Sequence, residues 1–334
     1  MPSTVVVGGF FGDEGKGKIV SYLSKNDNPS IVVRGGAGPN AGHTIKDGST
    51  TYKVRMLPSG FLNKNAKVMI GPGVVVNPDI FFKEIEEYDV SGRAFLDKHC
   101  GIIEQNHLDQ DSKGRLKDKI GSTGSGTGPA NAERAMRTLK MAKDIESLSS
   151  YVIDVPDEVN SALKNQKNVL IEGTQGTHLS LWHGTYPFVT SKDVTASGIC
   201  ADIGVGPKLV DEVLVVFKAY LTRVGTGPMS NELSAEETEQ KGWAEFGTVT
   251  GRPRRAAEFD FELAQRAIML SSATQLSITK LDVRFPECAG IKSESELSTE
   301  AKSFIKNIED KLKTPVTLIG TGPFVNDVID VREQ

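Results

Sequence analysis

The residues Gly8-Gly9-Phe10-Phe11-Gly12-Asp13-Glu14-Gly15-Lys16-Gly17-Lys18 put glycines, two lysines and two carboxylates into one short segment. An apolar, β-rich run, Thr4–Gly8, leads into it, and an apolar helical start follows at Ile19. Glycines after a strand let backbone N–H groups approach a phosphate, and the N-terminus of the following helix adds a favourable dipole. Lys16 and Lys18 add positive charge, each worth up to ~4 kcal/mol against a phosphate ~4 Å away at an effective dielectric of ~20. Gly12 through Lys18 fits the first seven positions of the P-loop pattern, but the eighth, which normally binds magnesium as Ser or Thr, is Ile19. Such a loop must hold its metal differently, and Asp13 is the obvious supplier.

Four further stretches are long and punctuated by glycine: Gly35–Thr44, Gly121–Pro129, Gly173–Gly184 and Trp243–Arg255. Loops of that length in a compact domain are functional or disordered. Their content of Thr, Arg, Asn and Gln favours function. Stepping outward, the elements that must position these loops alternate. Short apolar runs at Thr4–Gly8, Ser30–Arg34, Lys67–Ile70, Asn168–Glu172, Glu212–Phe217, Leu276–Thr279 and Pro315–Ile319 read as strands. Several are apolar on both faces, as strands buried between helix layers are. Helical spacing appears at Ile80–Tyr88, Ala130–Lys143, Glu258–Leu270 and Thr299–Leu312. That order predicts an α/β fold with a mainly parallel central sheet flanked by helices, in one domain spanning 1–334.

The 334 residues carry a net charge of −4 with a pI near 5.8, so any phosphate must be held by local geometry rather than by an overall basic surface. Nothing in that balance suggests nucleic acid. Cys100, Cys200 and Cys288 lie far apart and form no C-x-x-C pair, which predicts reduced, buried thiols. No basic-then-apolar leader and no run of ~20 apolar residues occurs, so a cytoplasmic location is the default expectation.

The segment Gly12–Lys18 resembles the first signature of adenylosuccinate synthetases, and Asn40-Ala41-Gly42-His43-Thr44 resembles their second. More matches follow in family order: Gly121–Pro129, Gly173-Thr174-Gln175-Gly176, His183-Gly184-Thr185-Tyr186-Pro187, Thr250-Gly251-Arg252, Thr279-Lys280-Leu281-Asp282 and Thr321-Gly322-Pro323. The resemblance implies a P-loop-like nucleotide-binding topology and GTP-dependent ligation of L-aspartate to IMP, giving adenylosuccinate, GDP and phosphate through a 6-phosphoryl intermediate. It implies Asp13 as the base at ring N1, His43 as the acid at the β,γ-bridging oxygen, and Gln175 as the donor to the 6-oxygen.

By the same resemblance GTP would meet Gly12, Glu14, Gly15, Lys16, Gly17, Lys18, Gly42, His43, Thr44, Lys280, Asp282, Gly320, Thr321 and Gly322. IMP would meet Asp13, Asn40, Thr123, Gln175, Thr190 and Arg252. Arg137 would reach the substrate phosphate of a second subunit in a homodimer. Aspartate, a dianion suited to bidentate arginine contacts, would meet Thr250, Arg252 and Arg254, on a loop whose Gly247 and Gly251 are permissive hinges. Mg2+ would be held by Asp13 and the Gly42 carbonyl with phosphate oxygens. Asp282 would accept from guanine N1–H and the 2-amino group, which adenine cannot offer.

The chain departs from the family pattern in four ways. It is shorter than most members, Phe10-Phe11 replaces Gln-Trp, Ser125 replaces an arginine, and Pro253 replaces another. A viral branch of similar compactness makes 2-aminoadenylosuccinate from dGMP, with serine in place of the catalytic aspartate; Asp13 favours IMP. A non-catalytic GTP-binding homologue or a GTP-hydrolysing switch is the other alternative. Retention of Asp13 and His43 speaks against the first, and Gln175 and Arg252 speak against the second. A dinucleotide-binding dehydrogenase is disfavoured because no acidic residue ends the strand near Val33.

Overall fold

A computed structural model describes residues 3–113, 116–247, 251 and 253–332. The strand Ser3–Gly8 shows why the sheet forms where it does: Val5, Val6 and Val7 are all fully buried, so both of its faces must be covered. Val6 packs with Ile19, Val20 and Leu23 of the helix Lys16–Asn26. Val5 and Val7 join the opposite layer, with Val155 and Val159 of the helix Val155–Lys164 and Ile199 of the helix Ala196–Ile203.

Ten strands share one sheet, in the order Val328–Asp330, Val316–Gly320, Gln275–Thr279, Glu212–Lys218, Ser3–Gly8, Val169–Glu172, Ile31–Arg34, Lys67–Ile70, Ala94–Asp97, Val152–Ile153. Every neighbouring pair is parallel except the last strand, Val328–Asp330, which runs antiparallel to Val316–Gly320. The chain builds outward on one side of Ser3–Gly8 through residue 153, returns to insert Val169–Glu172 beside it, then builds the other side from residue 212 onward. The reversal falls between Ser3–Gly8 and Glu212–Lys218. Loops leaving the carboxyl ends of strands at such a reversal diverge, and the crevice between them is where α/β sheets bind ligands.

All seven predicted strands lie in this sheet, with bounds within one or two residues. The other three are only two to four residues long, too short for periodicity to reveal. Three predicted helices appear as Pro78–Glu87, Phe261–Ser271 and Thr299–Leu312, each with its preceding Asn77, Asp260 or Ser298 side chain accepting from the first turn. The fourth differs. The helix expected over Ala130–Lys143 is Thr127–Met136, entered from Gly126 at φ 75° and ended by Arg137 at φ 67°. The apolar residues beyond it, Leu139 and Ala142, pack under other elements instead of continuing a helical stripe. Two hairpins were not anticipated: His43–Asp47 with Thr50–Val54, and Leu221–Val224 with Arg254–Ala257. The three cysteines are free and buried, and no described helix is long and apolar enough to cross a membrane.

Candidate active site

The loop after Ser3–Gly8 is bent by left-handed backbone at Gly12, Asp13 and Gly15. Its pin is Glu14, whose buried carboxylate accepts from Phe10 N (3.0 Å), Gly12 N (2.7 Å) and Lys16 Nζ (2.9 Å). Lys16 also donates to the carbonyl of Gln175. A side chain at Gly8 would lie 2.4 Å from Glu14 Oε2, and one at Gly176 would lie 2.4 Å from Glu14 Oε1, so both glycines are required by this knot. Glu14 thus shapes the loop from within, and its side chain does not reach the cleft. The helix Lys16–Asn26 begins with no side-chain cap, which leaves its first amides available to an anion.

In front of this N-terminus lies a cleft of about 760 Å³. Gly12, Asp13, Gly15, Lys16, Gly17 and Lys18 line it from the loop. Asn40, Gly42, His43 and Thr44 line it from the second signature. Thr123, Gln175, Thr190, Arg254, Lys280 and Gly322 complete the predicted residues on its wall. Eight separate segments therefore converge on one opening.

His43 begins its hairpin strand with Nε2 3.0 Å from Glu172 Oε1. Glu172 is fully buried at the end of its strand and also accepts from Ser59 N and from Ser59 Oγ (2.9 Å). Burial alone would raise the Glu172 carboxyl, but His43, Arg34 and the Ser59 amide outweigh it and hold the group below its ordinary range. Gly17 makes room for the imidazole: a Cβ there would lie 2.7 Å from His43 Cβ.

Asp13 faces the cleft, with its Oδ2 2.9 Å from Arg254 Nε. Arg254 also donates to Glu245, which takes Lys218 Nζ (2.7 Å) and the Tyr220 hydroxyl, and lies 3.6 Å from Lys280 Nζ. Burial would raise Glu245, yet Lys218, Lys280 and Arg254 drive its carboxyl far below the usual range. Lys218 is 1 % exposed; burial lowers its ammonium, with Glu245 offsetting in part.

On the substrate side, Gln175 sits at φ 52° and donates from Nε2 to Asn40 Oδ1 (3.1 Å), while Thr174 donates to its Oε1. Asn40 Nδ2 donates to Thr190 Oγ1 at 3.3 Å. Thr123 Oγ1 lies 2.9 Å from Ser125 Oγ, which accepts from Arg55 Nη2 (3.0 Å). An arginine from a different segment thus reaches the position where Ser125 replaces the usual one. Phe10 is core, edge-on to Phe217 and Phe259, whereas Phe11 lines the cleft beneath the Arg223 guanidinium, 4.2 Å from its ring.

At the far end, Lys18 Nζ donates to the carbonyls of Gly322 and Asp327, each at 2.6 Å. Burial lowers its pKa to about 8 against the pull of Asp282 and Asp327. Asp282 Oδ1 is buried and without a hydrogen-bond partner among the described residues, next to Lys280 of the cleft wall but not itself among the lining residues. Burial raises its carboxyl, with Lys280 and Lys18 opposing. Gly320 lies against Lys18: a Cβ there would be 3.1 Å from Nζ. Thr321 is buried, with Oγ1 donating to Ile291 O (2.8 Å), N donating to Asp327 O (2.9 Å) and O accepting from Gly290 N (2.8 Å), so its polar groups shape the turn and do not face the cleft.

Some expected residues fall elsewhere. Arg137 is exposed at the end of its helix and does not line the cleft. Thr250 and Arg252 lie outside the described residues. Motif reading also missed Glu172, Lys218, Tyr220, Arg223 and Glu245. A signal existed for two of them: Glu172 and Lys218 are charged residues ending otherwise apolar, buried strands. A charge at that place is costly unless paired.

A sequence profile of the adenylosuccinate synthetase family matches residues 5–146 and 138–287. The adenylosuccinate synthetase of Methanocaldococcus jannaschii is 54% identical over 335 residues, covering 99% of this chain and 97% of that protein. The one from Archaeoglobus fulgidus is 51% identical, covering 100% of this chain and 99% of its own. Among solved structures, the fully ligated adenylosuccinate synthetase from Plasmodium falciparum superposes with a TM-score of 0.92 at 28% identity, over 98% of this chain and 99% of that one. The succinoaminodeoxyadenylate synthetase of cyanophage S-2L, bound to dGMP and dATP, gives 0.82 at 26% identity, over 99% and 96%. With its phosphate loop, His43 and Gln175 gathered in one cleft and relatives aligned from end to end, the chain belongs to the adenylosuccinate synthetase family.

Proposed function

We propose that the chain joins L-aspartate to IMP at the expense of GTP, yielding adenylosuccinate, GDP and phosphate. The observation that carries this reading is that Asp13 and His43, from two separate signatures, line one cleft together with the first residues of the uncapped helix. Asp13 takes the proton from IMP N1, which makes the 6-oxygen nucleophilic toward the γ-phosphorus of GTP. His43, backed by Glu172, supplies a proton toward the oxygen bridging the β- and γ-phosphates as that bond breaks. The amino group of aspartate then displaces phosphate from carbon 6. Gln175 serves the 6-oxygen by turning its amide donor from Asn40 to the substrate. Asp282, with its unpartnered buried oxygen, reads guanine.

Asp13 and Gly42 both line the cleft, and the Asp13 carboxylate with the Gly42 carbonyl would hold Mg2+, a hard cation suited to oxygen donors. Bound there, the ion would supply charge neutralisation at the phosphates. A homodimer in which Arg137 serves the partner's substrate phosphate accounts for an arginine exposed beside Met136, itself 66% exposed.

Incubating the protein with IMP, GTP, aspartate and Mg2+ tests the reading: adenylosuccinate, GDP and phosphate in equal amounts are expected. Asp13 in place of serine favours IMP over dGMP. Product from dGMP but none from IMP would overturn the substrate assignment, and GTP hydrolysis without ligation would overturn the reaction.

A further inference from the structure

Glu245 sits at the base of the loop that carries the expected aspartate contacts. The base is closed as a hairpin: Arg254 N donates to Glu245 O at 2.9 Å, and Phe246 pairs antiparallel with Pro253. The Glu245 side chain, 11% exposed, then collects four groups from three segments. Lys218 and Tyr220 come from the end of the strand at the sheet's reversal, Arg254 from the loop itself, and Lys280 from the guanine end. Arg254 in turn carries this contact to Asp13. One carboxylate thus stands between the GTP end, the phosphate loop and the aspartate loop. Motif matching assigns it nothing, and Glu245 itself does not line the cleft.

The charges explain why a carboxylate is needed there. Arg254, Lys218 and Lys280 are three cations within reach of one anion, and Lys218 is buried with Thr222 Oγ1 (2.7 Å) as its other partner. Among the described residues, without Glu245 Lys218 would keep a buried charge with no ion-pair partner, and the Arg254 side chain would be held by Asp13 alone. Arg254 would then be free to swing with the loop.

We propose that Glu245 is a positioning residue that fixes Arg254 against Asp13 and Lys280 at the guanine end, so that GTP and aspartate are held by one shared support. The inference rests on the ligase reading for the identity of the two ligands. IMP meets this support only at Asp13, where the contact is the proton to be removed and is read in kcat; Asn40, Gln175 and Thr190 are tied to one another, and Thr123 to Ser125, none of them to Glu245.

The test uses the full chain. Glu245→Gln is expected to raise KM for both GTP and aspartate by about 30-fold, the lower end for removing one partner of a buried charge pair. KM for IMP should stay within about twofold, which general loosening of the fold would not achieve. Placed on Arg254→Ala, the same change should add less than about threefold to KM for aspartate, since groups acting through one another are not additive. Full additivity, or equal rises for all three substrates, would overturn the proposal. Should Glu245→Gln not fold, Tyr220→Phe removes one donor and keeps the charges. A rise confined to GTP and aspartate would then support the role, and unchanged constants would overturn it. Calorimetric binding of GTP alone separates this from the ligase reading. A parent that binds GTP but makes no adenylosuccinate defeats the reading, while equal GTP affinity in parent and Glu245→Gln defeats the inference.

Discussion

Replacing Glu172 by Gln keeps the shape of the side chain and removes its charge. At 3.0 Å the attraction between the carboxylate and a protonated His43 is roughly 5 kcal/mol at an effective dielectric of ~20. Desolvation of Glu172 cancels part of it, since the residue is fully buried. A second loss accompanies the first. Ser59 gives both its N–H and its hydroxyl to this carboxylate; a Gln oxygen can keep the Ser59 N–H, but its NH2 then takes the place of Oε1, and the His43 N–H facing that atom loses its acceptor. Leaving one buried donor unpaired costs about 1–3 kcal/mol. Taken with breakage of the buried pair, the expected loss is about 3–5 kcal/mol. If most of it falls on the step in which His43 gives up its proton, kcat drops by roughly 10²–10³ while KM for GTP and IMP moves only a few-fold. Steady-state assays of adenylosuccinate formation, with a thermal melt on the same samples, measure both parts.

The pH dependence has a definite sign. The Glu172 carboxyl is held below its ordinary value of 4.5, so the ionised form contributes stability above that pH and loses it as pH falls through the folded value. The melting difference between parent and variant should therefore narrow on acidification. A kcat within about fivefold of the parent would refute the reasoning, because 1 kcal/mol exceeds the free energy of such a change.

Asp282→Asn should lower selectivity for GTP over ATP on the order of 10³-fold, because the amide can no longer accept from both guanine donors; unchanged selectivity in competition assays would remove Asp282 from base reading. Gly17→Ala drives a methyl to within 2.7 Å of His43 Cβ, and displacing the imidazole by ~1 Å should cost about 10²-fold in kcat. An unchanged kcat would show that His43 tolerates the shift. Lys18 has a pKa of about 8 in the free protein, so above that pH it must take up a proton to pair with a phosphate. GTP affinity should consequently fall as pH rises past 8, with proton uptake visible as a buffer-dependent heat in calorimetry; no uptake at pH 9 would contradict it.

The strands were legible because burial on both faces forces continuous apolar runs, as in Val5-Val6-Val7. The phosphate loop was legible because its glycines are demanded by backbone geometry at Gly12 and Gly15 and by the tight knot around Glu14. What stayed hidden is contact between distant segments. Nothing local marks Glu14 as an internal pin rather than a ligand contact, because its partners are the amides that its own loop happens to turn inward. Nor does spacing show that Arg254, read as a free cation for aspartate, is already shared between Asp13 and Glu245. The misplaced helix over Ala130–Lys143 has a plainer cause. Leu139 and Ala142 are apolar at helical spacing, but their burial is supplied by neighbours across a left-handed stop at Arg137.

Lys18 ties the first helix of the chain to carbonyls more than three hundred residues later, at Gly322 and Asp327. Because those carbonyls are made some three hundred residues after the helix, a growing polypeptide carries an unfinished cleft until residues 322 and 327 have emerged. Clipping near residue 320 would remove both carbonyls and strand the buried Lys18 ammonium, so such fragments should be inert toward GTP.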